Sequence, residues 1–310
     1  MFTEAPEALP HASAAPTPQG SAATAGSAFD YGTAFSRNIG WLTEAEQEAL
    51  RHKRVAIAGM GGVGGFHLTT LARLGISKFN ISDLDHFEVA NFNRQAGATM
   101  STLGRPKVEV LAEMARDINP ECELNIFPDG VQPHNLAQFF DGVDLYVDGL
   151  DAFAFSARES VFAYCAKQGI PATTVAPLGM SAALLNFLPG RMTFEEYFGL
   201  EGKSDLEKSI RFLVGFAPAL LHRHYLVDKT RVNLAEARGP STGLSCQLCA
   251  GVAAGEAIKI LLGRGKVWAA PHAIQFDAFR NRMAHTWRPG GNRHPLNRIA
   301  IAIAKRQLGI

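Results

Sequence analysis

Residues 54–85, RVAIAGMGGVGGFHLTTLARLGISKFNISDLD, decide the fold of this chain. A β-branched run at 55–58 ends in a cluster of glycines, and an amphipathic stretch that carries Leu68, Leu71 and Leu74 follows. A second extended run, Lys78–Ser82, stops at Asp83. This order of strand, glycine turn, helix, strand and acid predicts a βαβ unit that binds a nucleotide.

The glycine turn and the acid each have a physical role in such a unit. Glycines adopt positive φ and bring backbone amides close to a phosphate, whose charge the following helix N-terminus favours. An acid at the end of the second strand accepts hydrogen bonds from ribose hydroxyls, which predicts this role for Asp83. A purely structural turn is the alternative, but the flanking strand, helix and acid favour the nucleotide site. The turn glycines are Gly59, Gly61, Gly62 and Gly64.

Cationic side chains beyond the second strand bear on which nucleotide is bound, because the turn alone is compatible with NAD, FAD or ATP. The pyrophosphate of a dinucleotide is held mostly by backbone amides, whereas a triphosphate carries about four negative charges and needs cations or a metal. Arg94 follows the strand and Lys107 opens the next predicted helix, so both favour ATP. A solvated surface pair is their alternative role.

A third buried strand is predicted within DLYVDGLDAF, residues 144–153, and it is followed by acids. Ligands of open α/β sheets bind at the carboxyl ends of the parallel strands. Asp151 is therefore predicted to hold Mg²⁺ on the phosphates, since Mg²⁺ prefers carboxylate and phosphate oxygens. The alternative for Asp151 is a capping role at the helix that begins near Phe155.

The alternation of strands and helices along the chain predicts an α/β fold. We expect a Rossmann-like ATP-binding half with a mostly parallel sheet, extended by a mixed second half. Thr43 is expected to cap a short helix at 44–51 ahead of the first strand. The predicted segments are a disordered Ala/Pro/Ser-rich tail at 1–30, the ATP-binding half at 31–180, the second half at 181–290 and a basic amphipathic helix at 291–310.

Composition limits the classes of partner. The 310 residues carry a net charge of +1, so no bulk electrostatic attraction to nucleic acid or membrane is implied. The first thirty residues lack Lys and Arg and contain no long apolar stretch, which does not fit a secretory signal. The four cysteines do not form a close framework of the kind seen in secreted domains. These features predict a cytoplasmic protein without a membrane partner.

The motifs GMGGVGG, DLD, NFNRQ, GRPK, INPE and DGLDA occur in this order over roughly residues 37–279. Together they closely resemble those of the ThiF/MoeB/HesA superfamily, adenylyltransferases that activate ubiquitin-like proteins. The resemblance implies binding of ATP with Mg²⁺ and attack on the α-phosphate by a carboxylate, with release of pyrophosphate. That carboxylate usually belongs to the C-terminus of a small ubiquitin-like or sulfur-carrier protein or of a peptide.

The resemblance also assigns roles to individual positions. Arg37, in SRNIG, corresponds to an arginine that reaches the nucleotide across a homodimer interface. Ala152 departs from the family, which often has Asn after the metal-linked acid. The other implied roles are the phosphate turn for Gly59, Gly61, Gly62 and Gly64, the ribose side for Asp83 and Asp85, phosphate contacts for Asn91, Arg94 and Lys107, and the metal-linked acid for Asp151.

The cysteines bear on zinc and on thiol chemistry. Many relatives hold a structural zinc with two CxxC pairs, but only Cys246 and Cys249 form such a pair here, so structural zinc is not expected. Cys246 is the better candidate for a thioester nucleophile, because it lies near the start of a predicted helix, where a thiol pKa is lowered. Packing of small side chains between helix and sheet is the interpretation that we favour for both thiols.

Three functions remain open from the sequence. The leading one is an ATP-dependent adenylyltransferase that activates a carboxylate on a ubiquitin-like protein, a sulfur carrier or a peptide. An alternative is the tRNA threonylcarbamoyladenosine dehydratase branch, which INPECEL and HNLAQFF within residues 118–140 resemble. The third is an NAD-binding oxidoreductase or sensor. The basic C-terminal tail is expected to dock on the domain or a partner, although a tRNA substrate would also favour such a patch.

Overall fold

A computed structural model of the chain describes residues 29–308 except 235, 237 and 238. The expectation for the N-terminal tail therefore lies, but for two residues, outside the described part. From Tyr31 onward the chain forms one compact unit. Its strands are β1 Arg54–Ala58, β2 Lys78–Ser82, β3 Glu123–Phe127, β4 Leu145–Asp148, β5 Ala172–Leu178, β6 Ser181–Phe187, β7 His272–Asp277 and β8 Arg282–Trp287.

The helices alternate with strands in the first half, whereas in the second half α7, α8 and α9 lie between β6 and β7 and α10 follows β8. The α-helices are α1 Tyr31–Phe35, α2 Glu44–His52, α3 Gly64–Arg73, α4 Lys107–Ile118, α5 Leu136–Phe139, α6 Phe155–Gln168, α7 Phe194–Phe198, α8 Asp205–Phe216, α9 Gly243–Leu262 and α10 Pro295–Leu308. Short 3₁₀ turns lie at Ser36–Asn38, Val89–Asn91, Leu221–Tyr225, Lys229–Arg231 and Gly291–Arg293.

All eight strands belong to one sheet with the order β3-β2-β1-β4-β5-β6-β7-β8. The first five are parallel, and β6, β7 and β8 are added in antiparallel fashion. This arrangement confirms the predicted α/β fold with a mostly parallel sheet and a mixed extension. The strand order changes direction between β1 and β4, so their carboxyl ends flank the crevice in which such sheets bind ligands.

Several predicted boundaries agree with the structure, and the deviations have local causes. β2 has the predicted bounds. Thr43 caps α2, accepting a hydrogen bond from the Glu46 amide at 3.1 Å. The C-terminal helix begins at Pro295 instead of residue 291, because Gly291–Arg293 forms a 3₁₀ turn and proline is suited to the first helical position.

Two apolar layers enclose the sheet. One contains aliphatic residues of α3, α4 and α9, and the other is rich in phenylalanine from α6, α7 and α8. The central strands β1 and β4 are covered on both faces, which explains their continuous apolar sequences. By length and composition α9 is apolar enough to cross a membrane, but it packs on β5, β6 and α3.

Three glycines allow the ends of β1 and β4 to meet the start of α3. Gly59, at φ +87°, leaves β1, and Gly64 begins α3. A Cβ added to Gly64 would overlap the Gly59 carbonyl oxygen, and one added to Gly149 would lie 2.9 Å from the Gly64 Cα. No L side chain fits between these backbones, so the helix N-terminus is held directly above the strand ends.

Gly64→Ala is expected to destabilise the protein by about 1–3 kcal/mol or more, because backbone must shift to admit the methyl group. Gly251→Ala is the matched control, since a Cβ at this position of α9 would meet nothing within 4 Å. It should be neutral or stabilising by up to about 1 kcal/mol. Urea unfolding of both variants measures the difference, and equal stabilities would contradict the close packing described here.

Candidate functional site

The turn between β1 and α3 is fastened to the end of β2. The Gly59 amide donates to the Ser82 carbonyl at 2.7 Å, and the Met60 amide donates to Asp83 Oδ2 at 2.6 Å. Val63, at the N-cap of α3, provides no side-chain hydrogen bond to the first helical turn. The Gly65 amide donates to the Gly61 carbonyl at 3.4 Å, and the first turn of a helix otherwise leaves amides available to an external acceptor, which is the arrangement that binds phosphate.

Asp83 combines a structural role with spare acceptor capacity. One carboxylate oxygen accepts the Met60 amide, and the other accepts the Asp85 amide at 2.8 Å. Burial raises the pKa of Asp83, and the two amide hydrogen bonds oppose that shift. Each carboxylate oxygen has more than one acceptor site, so both can still receive ribose hydroxyls. The placement fits the predicted ribose contact.

Lys107 and Asp85 are joined at the same edge of the sheet. Lys107 Nζ donates to Asp85 Oδ2 at 3.0 Å, and the Lys107 amide donates to the Asp85 carbonyl at 2.9 Å. The lysine side chain is 7% exposed and the aspartate side chain 58% exposed. Lys107 is close enough to Asp83 for its charge to oppose the rise in pKa that burial gives that carboxyl group, and Asp83 accepts the Met60 amide of the turn. Two of the three ammonium N–H groups remain for phosphate oxygens.

Arg94 lies against the glycine turn, whereas Asn91 has a structural role. A Cβ on Gly62 would lie 3.9 Å from Arg94 Cγ. Arg94 Nη1 donates to the Ala90 carbonyl at 2.8 Å and to Asn93 Oδ1 at 3.0 Å, which leaves the other guanidinium nitrogens for a ligand. Asn91 is buried, and its Oδ1 accepts the Glu88 amide at 3.0 Å. Its predicted phosphate contact stays a prediction.

Asp151 is exposed on the loop that follows β4, two residues after Gly149. Its Oδ1 accepts the Phe153 amide at 3.0 Å, which closes a turn before α6. The N-cap of α6 is Ala154, without a side-chain cap, so the alternative in which Asp151 caps this helix is wrong. The second carboxylate oxygen is free for Mg²⁺, which typically keeps several waters and uses only one or two carboxylates.

The sequence did not reveal the residue that holds this loop, Arg158. Its Nε donates to Asp148 Oδ2 at 2.9 Å, in an ion pair whose two side chains are 3% and 2% exposed. Its Nη2 donates to the carbonyls of Leu150 at 2.7 Å and Asp151 at 2.9 Å. An arginine within a helix matches no sequence motif, so the burial of Arg158 and its role could not be predicted.

Asp148 is satisfied by several further donors. Tyr146 Oη and the Leu150 amide donate to Oδ1 at 3.0 and 3.2 Å, and Thr174 Oγ1 donates to Oδ2 at 2.7 Å. The carboxylate therefore has no capacity left for a metal ion. It acts as an anchor for the loop that carries Asp151.

Arg37 lies apart from this arrangement, whereas Cys246 lies beneath it. Arg37 is exposed in a 3₁₀ turn before α2, and its predicted role requires a second subunit, so it stays a prediction.

Cys246 is fully buried under the turn, where a Cβ on Gly62 would lie 3.1 Å from its Sγ. Burial raises the pKa of the Cys246 thiol, against the effects of Ser241 and Arg94. Burial also raises the pKa of Cys249 well above its usual range.

No group of three or more His, Cys, Asp or Glu side chains in the described part of the chain is arranged to hold a metal ion. Most of the predicted residues nevertheless meet at one place. The glycine turn, Asp83, Asp85, Lys107 and Arg94 converge at the carboxyl edge of β1 and β2, beside the loop that carries Asp151. Open backbone amides, a ribose acceptor and two cations fit a nucleotide polyphosphate in shape and charge.

Known proteins share this architecture. A tRNA threonylcarbamoyladenosine dehydratase of Haemophilus influenzae is 37% identical over 131 residues, 42% of this chain and 49% of that protein. The chain thus spans about half the length of the curated relatives it matches. The solved structure of Escherichia coli MccB with ATP superimposes with a TM-score of 0.59 and 20% identity, over 78% of this chain and 66% of that one.

Further structures of MccB contain MccA. Escherichia coli tRNA N6-threonylcarbamoyladenosine dehydratase, TcdA, superimposes with a TM-score of 0.54 and 24% identity, over 75% of this chain and 95% of that one. At these identities the structural likeness concerns the fold. The sequence pattern of the ThiF family, however, matches residues 35–298, most of the chain. This chain belongs to the ThiF family.

Proposed function

We propose that the chain is an ATP-dependent enzyme that adenylates a carboxylate. The observation that supports this most is the set of charges around the turn. Arg94 touches the glycine turn, and the ammonium group of Lys107 is buried beside it. The pyrophosphate of a redox dinucleotide is held mostly by backbone amides, whereas the larger negative charge of a triphosphate needs cations of this kind. MccB, which shares the fold, has been solved with ATP.

The proposed reaction needs no general base, because a carboxylate is already deprotonated at neutral pH. Its oxygen attacks the α-phosphorus, and the bond from that phosphorus to the pyrophosphate oxygen breaks. Arg94 and Lys107 offset the charge that accumulates on the phosphates, and Arg37 of a second subunit would add to this. Asp151 would hold Mg²⁺, which supplies further neutralisation of the phosphate charge.

The acceptor that we propose first is the threonyl carboxylate of threonylcarbamoyladenosine in tRNA. The relatives at 36–37% identity bear the name of this dehydratase. In the cyclisation, an atom of the carbamoyl group attacks the adenylated carboxyl carbon, loses its proton and displaces AMP, so that the elements of water are lost overall. This step requires no thiol on the enzyme. This chemistry agrees with the complete burial of Cys246 and Cys249.

A second candidate acceptor is the C-terminus of a small ubiquitin-like or sulfur-carrier protein or a peptide. It is favoured by the likeness to MccB in complex with MccA, which extends over 84% of this chain. Pyrophosphate exchange with tRNA and with carrier proteins, run separately, distinguishes the two acceptors.

Lys107→Met and Asp151→Asn are expected to lower the rate of ATP–pyrophosphate exchange by about 100-fold or more, because each removes charge compensation at the phosphates. Lys167→Met and Asp117→Asn are matched controls on exposed helical positions and should retain the rate. Thermal melting checks that all four variants are folded. Unaltered exchange in Asp151→Asn would remove its metal role, and unaltered exchange in Lys107→Met would remove the phosphate role.

Cys246→Ala is expected to retain adenylation, because the buried thiol has a raised pKa and stays protonated near pH 7. Thiol titration of the native protein should show Cys246 unreactive at that pH, with reactivity increasing only under more alkaline conditions. The same reagent should modify all four cysteines after unfolding in guanidinium. Rapid modification of native Cys246, or a trapped thioester with an activated partner, would contradict this assignment.

A further inference from the structure

Positive charge is concentrated at the C-terminal end of the chain. Residues 278–310 contain seven of the 30 Lys and Arg residues and none of the 29 Asp and Glu residues. This segment therefore carries +7, and the remaining chain, with 23 basic and 29 acidic residues, carries −6. The net charge of +1 conceals this segregation, which is typical of chains with a local site for a polyanion.

His285 and Trp287 of this segment belong to a cluster of aromatic rings. The His272 and His285 rings face each other across β7 and β8, with Nδ1 and Nε2 3.0 Å apart. The Trp268 ring lies 4.6 and 4.4 Å from their centroids, and the Trp287 ring stacks on His272 at 6.4 Å. Trp287 is 60% exposed, and His285 is also exposed. Exposed rings on a strand are suited to stacking on unpaired bases.

Several cations adjoin these rings along the chain. Lys266 Nζ lies 3.7 Å from the centre of the Trp268 ring. Arg288 follows Trp287, and its Nε donates to Asn297 Oδ1 at 3.3 Å, which joins the end of β8 to the first turn of α10. The side chains of Lys266, Arg293 and Arg298 are exposed, and none forms an ion pair with a carboxylate of the described residues.

Few carboxylates oppose this charge. Glu196 lies within electrostatic reach of Arg293, and it already accepts hydrogen bonds from the Thr193 amide and hydroxyl at 2.8 and 3.1 Å. Glu207 is engaged by Arg211 at 2.9 Å and Lys305 at 3.0 Å. The surface therefore keeps a net positive potential.

We propose that this C-terminal basic surface, formed by Lys266, Trp268, His272, His285, Trp287, Arg293 and Arg298, binds RNA through its phosphates and unpaired bases. The inference rests on the proposed tRNA acceptor and adds the place where the RNA is held. A second copy of the chain is a poorer occupant, because two-fold symmetry would bring two like-charged surfaces together.

The position of the surface sets the length of RNA required. β7 runs parallel to β5, so His272 and Trp287 lie at the edge of the sheet opposite the nucleotide turn. Five residue steps along these strands correspond to about 17 Å. An RNA held here must extend at least this far to place a modified base at the carboxyl edge, and a folded tRNA is large enough to do so.

The experiment measures binding of unfractionated tRNA to the full chain without ATP, by fluorescence anisotropy at several salt concentrations. The triple variant Lys266→Gln, Arg293→Gln and Arg298→Gln is expected to raise the Kd about 10-fold or more and to reduce the slope of log K against log salt by about 2 to 3. Trp287→Ala is expected to raise the Kd about 5-fold or more without a change of slope, since it removes stacking and no charge.

The matched control replaces exposed Arg73, Arg116 and Lys167 by Gln, at positions on α3, α4 and α6. It removes the same charge and should leave the Kd and the slope nearly unchanged. Equal losses in both triple variants, or no tRNA binding by the parent protein, would overturn the inference. So would preferential binding to anionic vesicles, which the exposed Leu296, Ile299 and Ile303 of α10 would explain instead.

Pyrophosphate exchange is measured in parallel on the same preparations. ATP turnover in a protein that does not bind tRNA would reject the RNA surface and leave the proposed adenylation intact. Binding of tRNA by a protein without any ATP-dependent activity would reject the proposed adenylation and leave the RNA surface intact.

Discussion

The nucleotide site depends on one steric constraint, the approach of three backbone segments at Gly59, Gly64 and Gly149. Gly59 follows β1, Gly64 begins α3 and Gly149 follows β4. A side chain on any of the three would collide with backbone. The contact fixes the direction of α3 relative to the central strands. The amides of its first turn therefore point across the carboxyl edge, where a phosphate is favoured.

A second element extends this constraint to the acidic loop. Asp148 immediately precedes Gly149, and its ion pair with Arg158 ties the loop at 148–152 to α6. A buried pair of this kind contributes little net stability, because desolvation offsets much of the Coulomb attraction. Its effect here is positional, since the same guanidinium binds the Leu150 and Asp151 carbonyls. Asp151 is thus presented to solvent from a fixed backbone.

The sequence was sufficient for the fold and for much of the site, since periodicity, glycine spacing and strand-ending acids are local properties. β2 and the Thr43 cap follow from such patterns. The role of Arg158 and the burial of Cys246 could not be predicted, because both depend on which distant segments pack together. The same holds for the ring cluster at His272 and His285, whose members meet only through the pairing of β7 with β8.

The central claim is that the cations beside the turn select a polyphosphate over a redox dinucleotide. Isothermal titration calorimetry of the full chain with ATP in the presence of Mg²⁺, and separately with NADH, tests it most directly. The account predicts saturable binding of ATP that weakens in Lys107→Met, with no measurable binding of NADH. Tight binding of NADH without binding of ATP would contradict it.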